Sequence, residues 1–106
     1  MDYSKMSDFE INCEVSKLTR DNANNPDSGY LVINDYCNNP ADAWPIILEN
    51  KICLRCKPNR EDWDAFTLGP EGYTEEITYD KNPLRAAMII FLVMQEESAN
   101  VQDNPA

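Results

Sequence analysis

An uninterrupted apolar run at residues 86–94 constrains the fold more than any other feature of this sequence. Asn82 is a favourable N-cap and Pro83 suits the first helical position, so a helix is predicted to begin here and to run to Glu97. Because the run leaves no polar stripe, this helix must be covered on most sides. It is too short for a membrane span, which needs about 20 apolar residues. We expect either a central helix of a soluble domain or a homodimer through this apolar C-terminal helix.

A first helix is indicated near the amino terminus. Ser7 and Glu10 fit a capping box, and apolar residues recur at helical spacing over residues 11–18. The helix is predicted to end near Arg20, because residues 21–29 have the composition of a loop.

The next stretch predicts a short strand and a middle helix. Residues 30–33 are aromatic and β-branched, which favours a strand. Asn39 and Pro40 have the pattern of a helix start, and the helix should continue to about Asn50. Pro45 removes a backbone hydrogen bond within it, so the helix is expected either to restart or to kink there.

Three strand candidates follow, at residues 51–57, 63–68 and 73–79, with turns at 58–60 and 69–72. An antiparallel meander is the simplest arrangement of such strands. A chain of 106 residues has the size of one domain. The predicted fold class is α+β, with this small sheet packed against the N-terminal and C-terminal helices and the short middle helix. The domain is predicted to span residues 1–99, with a flexible tail at 100–106.

The charge is strongly acidic and unevenly distributed. Nineteen acidic residues against nine basic ones give a net charge of −10. The bases Lys51, Arg55, Lys57 and Arg60 precede an acidic stretch, residues 61–80, so adjacent strands are expected to pair opposite charges. The net charge repels phosphates, so we expect neither direct nucleic-acid binding nor membrane binding. It also keeps a protein soluble, and it attracts basic protein partners.

The sequence lacks the residues of common catalytic sites. There is no histidine, and only three glycines, too few and too dispersed for a phosphate-binding loop. Cys53 and Cys56 form a single close pair, whereas a zinc ribbon needs two such pairs. On a strand they would point to opposite faces and act as small apolar fillers. We therefore predict no enzyme activity, no metal and no cofactor, and the missing signal-peptide pattern predicts the cytoplasm.

The segment 35–45 is the candidate binding site. It combines aromatic, amide and carboxylate side chains around a helix start, a mixture typical of protein interfaces. The candidate binding residues are Tyr36, Asn38, Asn39, Asp42 and Trp44. In the alternative interpretation, Asn39 caps the helix, Asp42 complements its dipole, and Tyr36 and Trp44 pack inside.

Three segments of the chain, residues 1–12, 35–47 and 82–88, resemble NinX-like proteins of temperate phages and prophages of enteric bacteria. Residues 22–28 and 53–73 match nothing in that family pattern. The resemblance implies a phage accessory protein of unknown function in the host cytoplasm, with no catalytic residues to transfer.

Three hypotheses about function remain open. The first is a non-catalytic module that binds an unknown host or phage protein. The second is an acidic mimic of DNA that inhibits a host nucleic-acid enzyme, which would need rows of exposed carboxylates. The third is a small metal-dependent enzyme.

Overall fold

A computed structural model describes residues 2–19, 33–69, 72 and 74–102. The chain begins with a single 3-10 turn, Tyr3–Lys5, and α1 follows at Asp8–Leu18. Helix α2 spans Pro40–Glu49. The strands are β1 Cys53–Cys56, β2 Trp63–Leu68 and β3 Thr74–Asp80, and α3 spans Pro83–Gln102. The fold is α+β, as the sequence predicts.

Helix α3 is the central element. Seven consecutive residues of α3 are buried: Ala86, Ala87, Met88, Ile89, Ile90, Phe91 and Leu92. The helix contacts all three strands and both other helices, α1 and α2. The expectation of a central helix is confirmed, and its apolar run is covered within one chain. A homodimer is therefore not needed to explain the run and stays a prediction.

The strands form an antiparallel sheet in the order β1-β2-β3, which confirms the predicted meander. Ala65 lies opposite Leu54 on one side and Thr78 on the other. Thr78 donates a hydrogen bond from Oγ1 to the backbone oxygen of Ala86, over 2.8 Å, and so joins the sheet to α3. β1 covers four of the seven residues predicted for it.

The predicted helix starts are confirmed by their hydrogen bonds. Ser7 Oγ accepts from the Glu10 N–H over 3.1 Å, and Glu10 Oε1 accepts from the Ser7 N–H over 3.0 Å, which completes the capping box. Asn82 Oδ1 accepts from the Leu84 N–H at the start of α3. α2 runs as one helix through Pro45, so of the two alternatives a restart is wrong, and a kink at Pro45 stays a prediction.

Other predicted boundaries shift, or lie outside the described residues. α1 ends at Leu18, two residues before the predicted end, and α3 ends at Gln102, five residues after it. The loop at 21–29 and three residues of the strand predicted at 30–33 are outside the described residues. Ile33 is described and is not in a strand. Of the predicted flexible tail at 100–106, residues 100–102 belong to α3 and residues 103–106 lie outside the described residues, so the flexibility of the tail stays a prediction.

Truncating the centre of α3 should strongly destabilise the domain. Met88 is fully buried, so Met88→Ala leaves a cavity and is expected to lower the free energy of unfolding by about 2–5 kcal/mol. Leu48→Ala, at a side chain that is 58% exposed, is the control and should change it by less than about 0.5 kcal/mol. Urea denaturation measures both. Equal effects would contradict a central position for α3.

Candidate functional site

The two aromatic residues of the candidate segment have opposite environments. Tyr36 is buried at 3% exposure, and its hydroxyl oxygen accepts a hydrogen bond from Asn34 Nδ2 over 3.2 Å. Trp44 is 54% exposed. The interpretation in which both aromatics pack inside is therefore right for Tyr36 and wrong for Trp44. Of the two rings, that of Trp44 is the one accessible from solvent.

Asn39 and Asp42 lie at the start of α2. Asn39 Oδ1 accepts from the Ala41 N–H over 3.1 Å and so caps the helix, in agreement with the alternative interpretation. Asp42 is in the first turn, where a carboxylate favours the positive end of the helix dipole. Its side chain is partly exposed and borders a cleft that is described below.

Arg85, which the sequence analysis did not single out, is the centre of a polar junction. Its guanidinium donates to Asp8 Oδ1 over 2.8 Å and to Asp80 Oδ2 over 2.9 Å, and to the backbone oxygens of Ser4 and Met6. The side chain is 12% exposed. Burial lowers the pKa of Arg85, but the hydrogen bonds to Asp8 and Asp80 outweigh this effect and raise the pKa. The guanidinium therefore stays charged while it holds the amino-terminal segment against α3.

Asparagine side chains extend this junction to the turn at residues 35–38. Asn82 Nδ2 donates to the backbone oxygen of Cys37 over 2.6 Å. Asn12 donates to Asp35 Oδ1 over 3.0 Å and accepts from the Cys37 N–H over 3.1 Å. Asn38 Nδ2 donates to Asp35 and to Asp8, and its Oδ1 accepts from Asn82. The side chain of Asn38, a candidate binding residue, is therefore used in hydrogen bonds that hold the fold together.

The polar junction unites the three segments that resemble the NinX-like pattern. Asp8 and Asn12 belong to the first segment, Asn38 to the second, and Asn82 and Arg85 to the third. These residues of the three segments therefore serve the packing of the fold. Their resemblance to the family pattern is not by itself evidence of a binding surface.

A cleft of about 630 Å³ lies between the end of α1, one side of α2 and the middle of α3. Its described lining comprises Leu18, Thr19, Asn34, Tyr36, Ala41, Asp42, Pro45, Ile46, Glu49, Asn50, Phe91 and Gln95. Tyr36, Ile46 and Phe91 are buried and form an apolar floor, whereas Asp42 and Glu49 supply carboxylates. The volume is in the range of small-ligand and side-chain pockets.

Helix α2 is apolar on two sides. Ala43, Ile46 and Ile47 are buried toward the core. Ala41, Trp44, Pro45 and Leu48 are exposed and follow the spacing i, i+3, i+4 and i+7, so they form one stripe, the outer face of α2. The spacing is visible in the sequence, but it does not reveal which of the two apolar stripes faces solvent.

Charges pair across the sheet as the sequence predicts. Asp64 lies opposite Arg55, is 1% exposed, and binds the Arg55 guanidinium over 2.8 Å. Arg60 lies 3.5 Å from the other Asp64 oxygen and 3.7 Å from Asp62. The basic residues before position 61 therefore neutralise part of the acidic stretch that follows them.

The cysteines show no metal-binding arrangement in the part of the chain that the structure describes. All four are free thiols, and no group of three or more potential metal ligands occurs among the described residues. Cys37 is buried, and burial is the main cause that raises the pKa of its thiol to about 12, so it stays protonated. Cys56 is exposed, so its expected role as a core filler is wrong. Within the same residues, no helix has both the length and the apolarity to cross a membrane.

Shortening Arg85 to lysine should destabilise the domain, because one ammonium group cannot replace the two carboxylate and two carbonyl contacts. We expect Arg85→Lys to lower the free energy of unfolding by about 2 kcal/mol or more. Arg60→Lys is the matched control at a more exposed site and should cost at most about 1 kcal/mol. Urea denaturation measures the free energy of unfolding of both variants. A smaller loss for Arg85→Lys than for Arg60→Lys would contradict the stabilising role of the polar junction.

Comparison with known protein families identifies the chain. The family model described as "Bacteriophage P22, NinX" matches residues 2–95, and so covers all three segments of the polar junction. No curated protein and no solved structure gave a significant match. The match supports a phage accessory protein, and the chain belongs to the NinX family of bacteriophage proteins.

Proposed function

We propose that this phage accessory protein is a non-catalytic module that binds a host or phage protein through the outer face of α2. The observation that carries the proposal is the exposure of Trp44 and Leu48, at 54% and 58%. They are four residues apart and so lie side by side on the helix. A tryptophan with an apolar neighbour is a typical energetic anchor of protein interfaces.

The rest of the helix supports this role. The opposite side of α2 is buried through Ile46 and Ile47, and Asn39 caps its first turn. The outer face is therefore presented by an already ordered helix, and little conformational entropy is lost when a partner binds. Pro45 belongs to the outer face and adds to this rigidity, because its ring fixes the backbone φ angle.

The non-catalytic part of the proposal rests on chemistry. The chain has no histidine, and the side chains of Arg85 and Asn82 are used in hydrogen bonds that hold the fold together. Four free thiols suit a reducing compartment, and we place the protein in the host cytoplasm on that basis.

The two alternative functions have weaker support. A DNA mimic needs rows of exposed carboxylates, but Asp64 is buried and Asp80 binds Arg85. Glu61 lies 3.5 Å from Lys81, so it too has an ionic neighbour. A metal-dependent enzyme would need a cluster of ligands, and the described residues contain no such group.

Replacing both anchors should abolish partner capture. Tagged protein purified from phage-infected cells is expected to bring down its partner, and Trp44→Ala/Leu48→Ala should reduce the yield by about tenfold or more. The matched control is Tyr79→Ala/Leu68→Ala on the sheet, where the side chains are 50% and 52% exposed. Quantitative mass spectrometry measures the yields.

The proposal fails if both double variants retain the same partners at the same yield. Circular dichroism and thermal unfolding verify that each variant is folded. Tyr36→Ala is unsuitable for this purpose, because Tyr36 is buried and its loss would disturb the core.

A further inference from the structure

We propose that the edge strand β1 is a second docking surface, and that it takes an extended, acidic segment of another protein as an added strand of the sheet. The inference goes beyond the proposed function, because it concerns a different surface from the outer face of α2. It follows from three observations: the open edge of β1, the bases beside that edge, and the opposite charge of β3 at the other edge of the sheet.

β1 lies at one edge of the sheet and is paired there with β2. Backbone groups alternate between the two sides of an antiparallel strand, so half of the N–H and C=O groups of Cys53–Cys56 point away from β2. Among the described residues, no backbone group from outside the sheet forms a hydrogen bond with this strand. Arg55 and Cys56, its second half, are exposed. Such an edge can form backbone hydrogen bonds with an extended segment.

Four bases, with no acid between them in the sequence, lie on β1 or within four residues of it: Lys51, Arg55, Lys57 and Arg60. The two arginines bind the buried carboxylate of Asp64. The two lysines are exposed, and neither forms an ion pair with another residue that the structure describes. Lys51 and Lys57 can therefore pair with carboxylates of a bound segment.

The other edge of the sheet has the opposite charge. β3 carries Glu75, Glu76 and Asp80 and no base, so an acidic segment is favoured at β1 and disfavoured at β3. A second copy of this chain is a less favourable occupant, because pairing β1 with β1 would bring like charges together.

The net charge of −10 repels an acidic segment at long range. Exposed charges interact over about 8 Å in physiological salt, so a segment bound at the edge responds mainly to the charges beside β1. The local excess of bases therefore decides which segment binds there, and backbone pairing adds affinity that does not depend on charge.

The probe is a short synthetic peptide that alternates glutamate and threonine, added to the isotope-labelled chain in about 0.15 M NaCl. Amide hydrogen exchange, measured by NMR, should slow by about fivefold or more at outward N–H groups of Cys53–Cys56, because these groups gain acceptors. A lysine–threonine peptide of the same length should bind far more weakly. The glutamate peptide methylated at every backbone nitrogen should lose the effect, since it keeps its charge but cannot donate hydrogen bonds.

Replacing the two unpaired lysines tests the role of charge. Lys51→Gln/Lys57→Gln should weaken binding of the glutamate peptide by about threefold or more in an NMR titration. The matched control is Lys5→Gln/Lys17→Gln, which removes the same charge from exposed lysines at the amino terminus and on α1, and should retain nearly wild-type affinity. Arg55 is left intact, because its loss would remove a partner of the buried Asp64 carboxylate.

Four results would overturn the inference. Equal loss in the two double variants would mean attraction to the total charge alone. Equal binding of the methylated and unmethylated peptides would exclude strand addition. Slower exchange in β3 instead of β1 would place the peptide at the wrong edge. Failure of the glutamate peptide to bind would mean that the bases only keep the edge from pairing with other strands.

The anchor variant separates this inference from the proposed function. Trp44→Ala/Leu48→Ala should retain wild-type affinity for the glutamate peptide, because its changes lie on α2. Loss of the peptide in this variant would overturn a separate surface at β1. Whether the same variant loses the partner captured from infected cells bears only on the proposed function, so the two proposals can fail independently.

Discussion

The largely buried guanidinium of Arg85 makes the interactions on which the arrangement of the helices depends. It is bound by carboxylates from α1 and from the end of β3, and by carbonyl oxygens that precede α1. A charge at 12% exposure is stable only because each contact replaces lost hydration. Asn82, three residues earlier, binds the turn that leads into α2. One turn of α3 therefore positions both other helices, and with them the cleft between them.

Local signals in the sequence are sufficient to predict most of the elements. Ser7 and Glu10, Asn39, and Asn82 each act within three residues of their own position, so their caps can be recognised without knowledge of the fold. Arg85 is different, because it binds Asp8 across 77 positions of the chain. No local pattern distinguishes such a residue from an exposed arginine on a helix. The polar junction can therefore be recognised only in the folded structure, where its three segments lie together.

The candidate site illustrates the same limit. Apolar spacing predicts that α2 has a buried side, but Ala43, Ile46 and Ile47 compete for that role with Ala41, Trp44 and Leu48. The side of α2 that contacts α3 is the one that is buried, and this contact depends on the polar junction around Arg85. Of the five candidate residues, Asn38 and Asn39 support the fold, Tyr36 is buried, and Asp42 and Trp44 remain accessible. Sequence alone could place these residues in one segment but could not separate their roles.

The fold also distributes the net charge of −10 into regions that differ in their local balance of acids and bases. On the sheet, Arg55 and Arg60 bracket Asp64, so a stretch that is acidic in sequence is partly neutralised in space. Beside α2, Asp42 borders a cleft whose described lining includes the buried side chains of Tyr36, Ile46 and Phe91. Exposed charges interact over about 8 Å in physiological salt, so the local balance of charge matters more than the total. The total charge of −10 therefore does not describe any one part of the surface, and the exposed side chains of Trp44 and Leu48 are a more specific feature of this chain than its acidity.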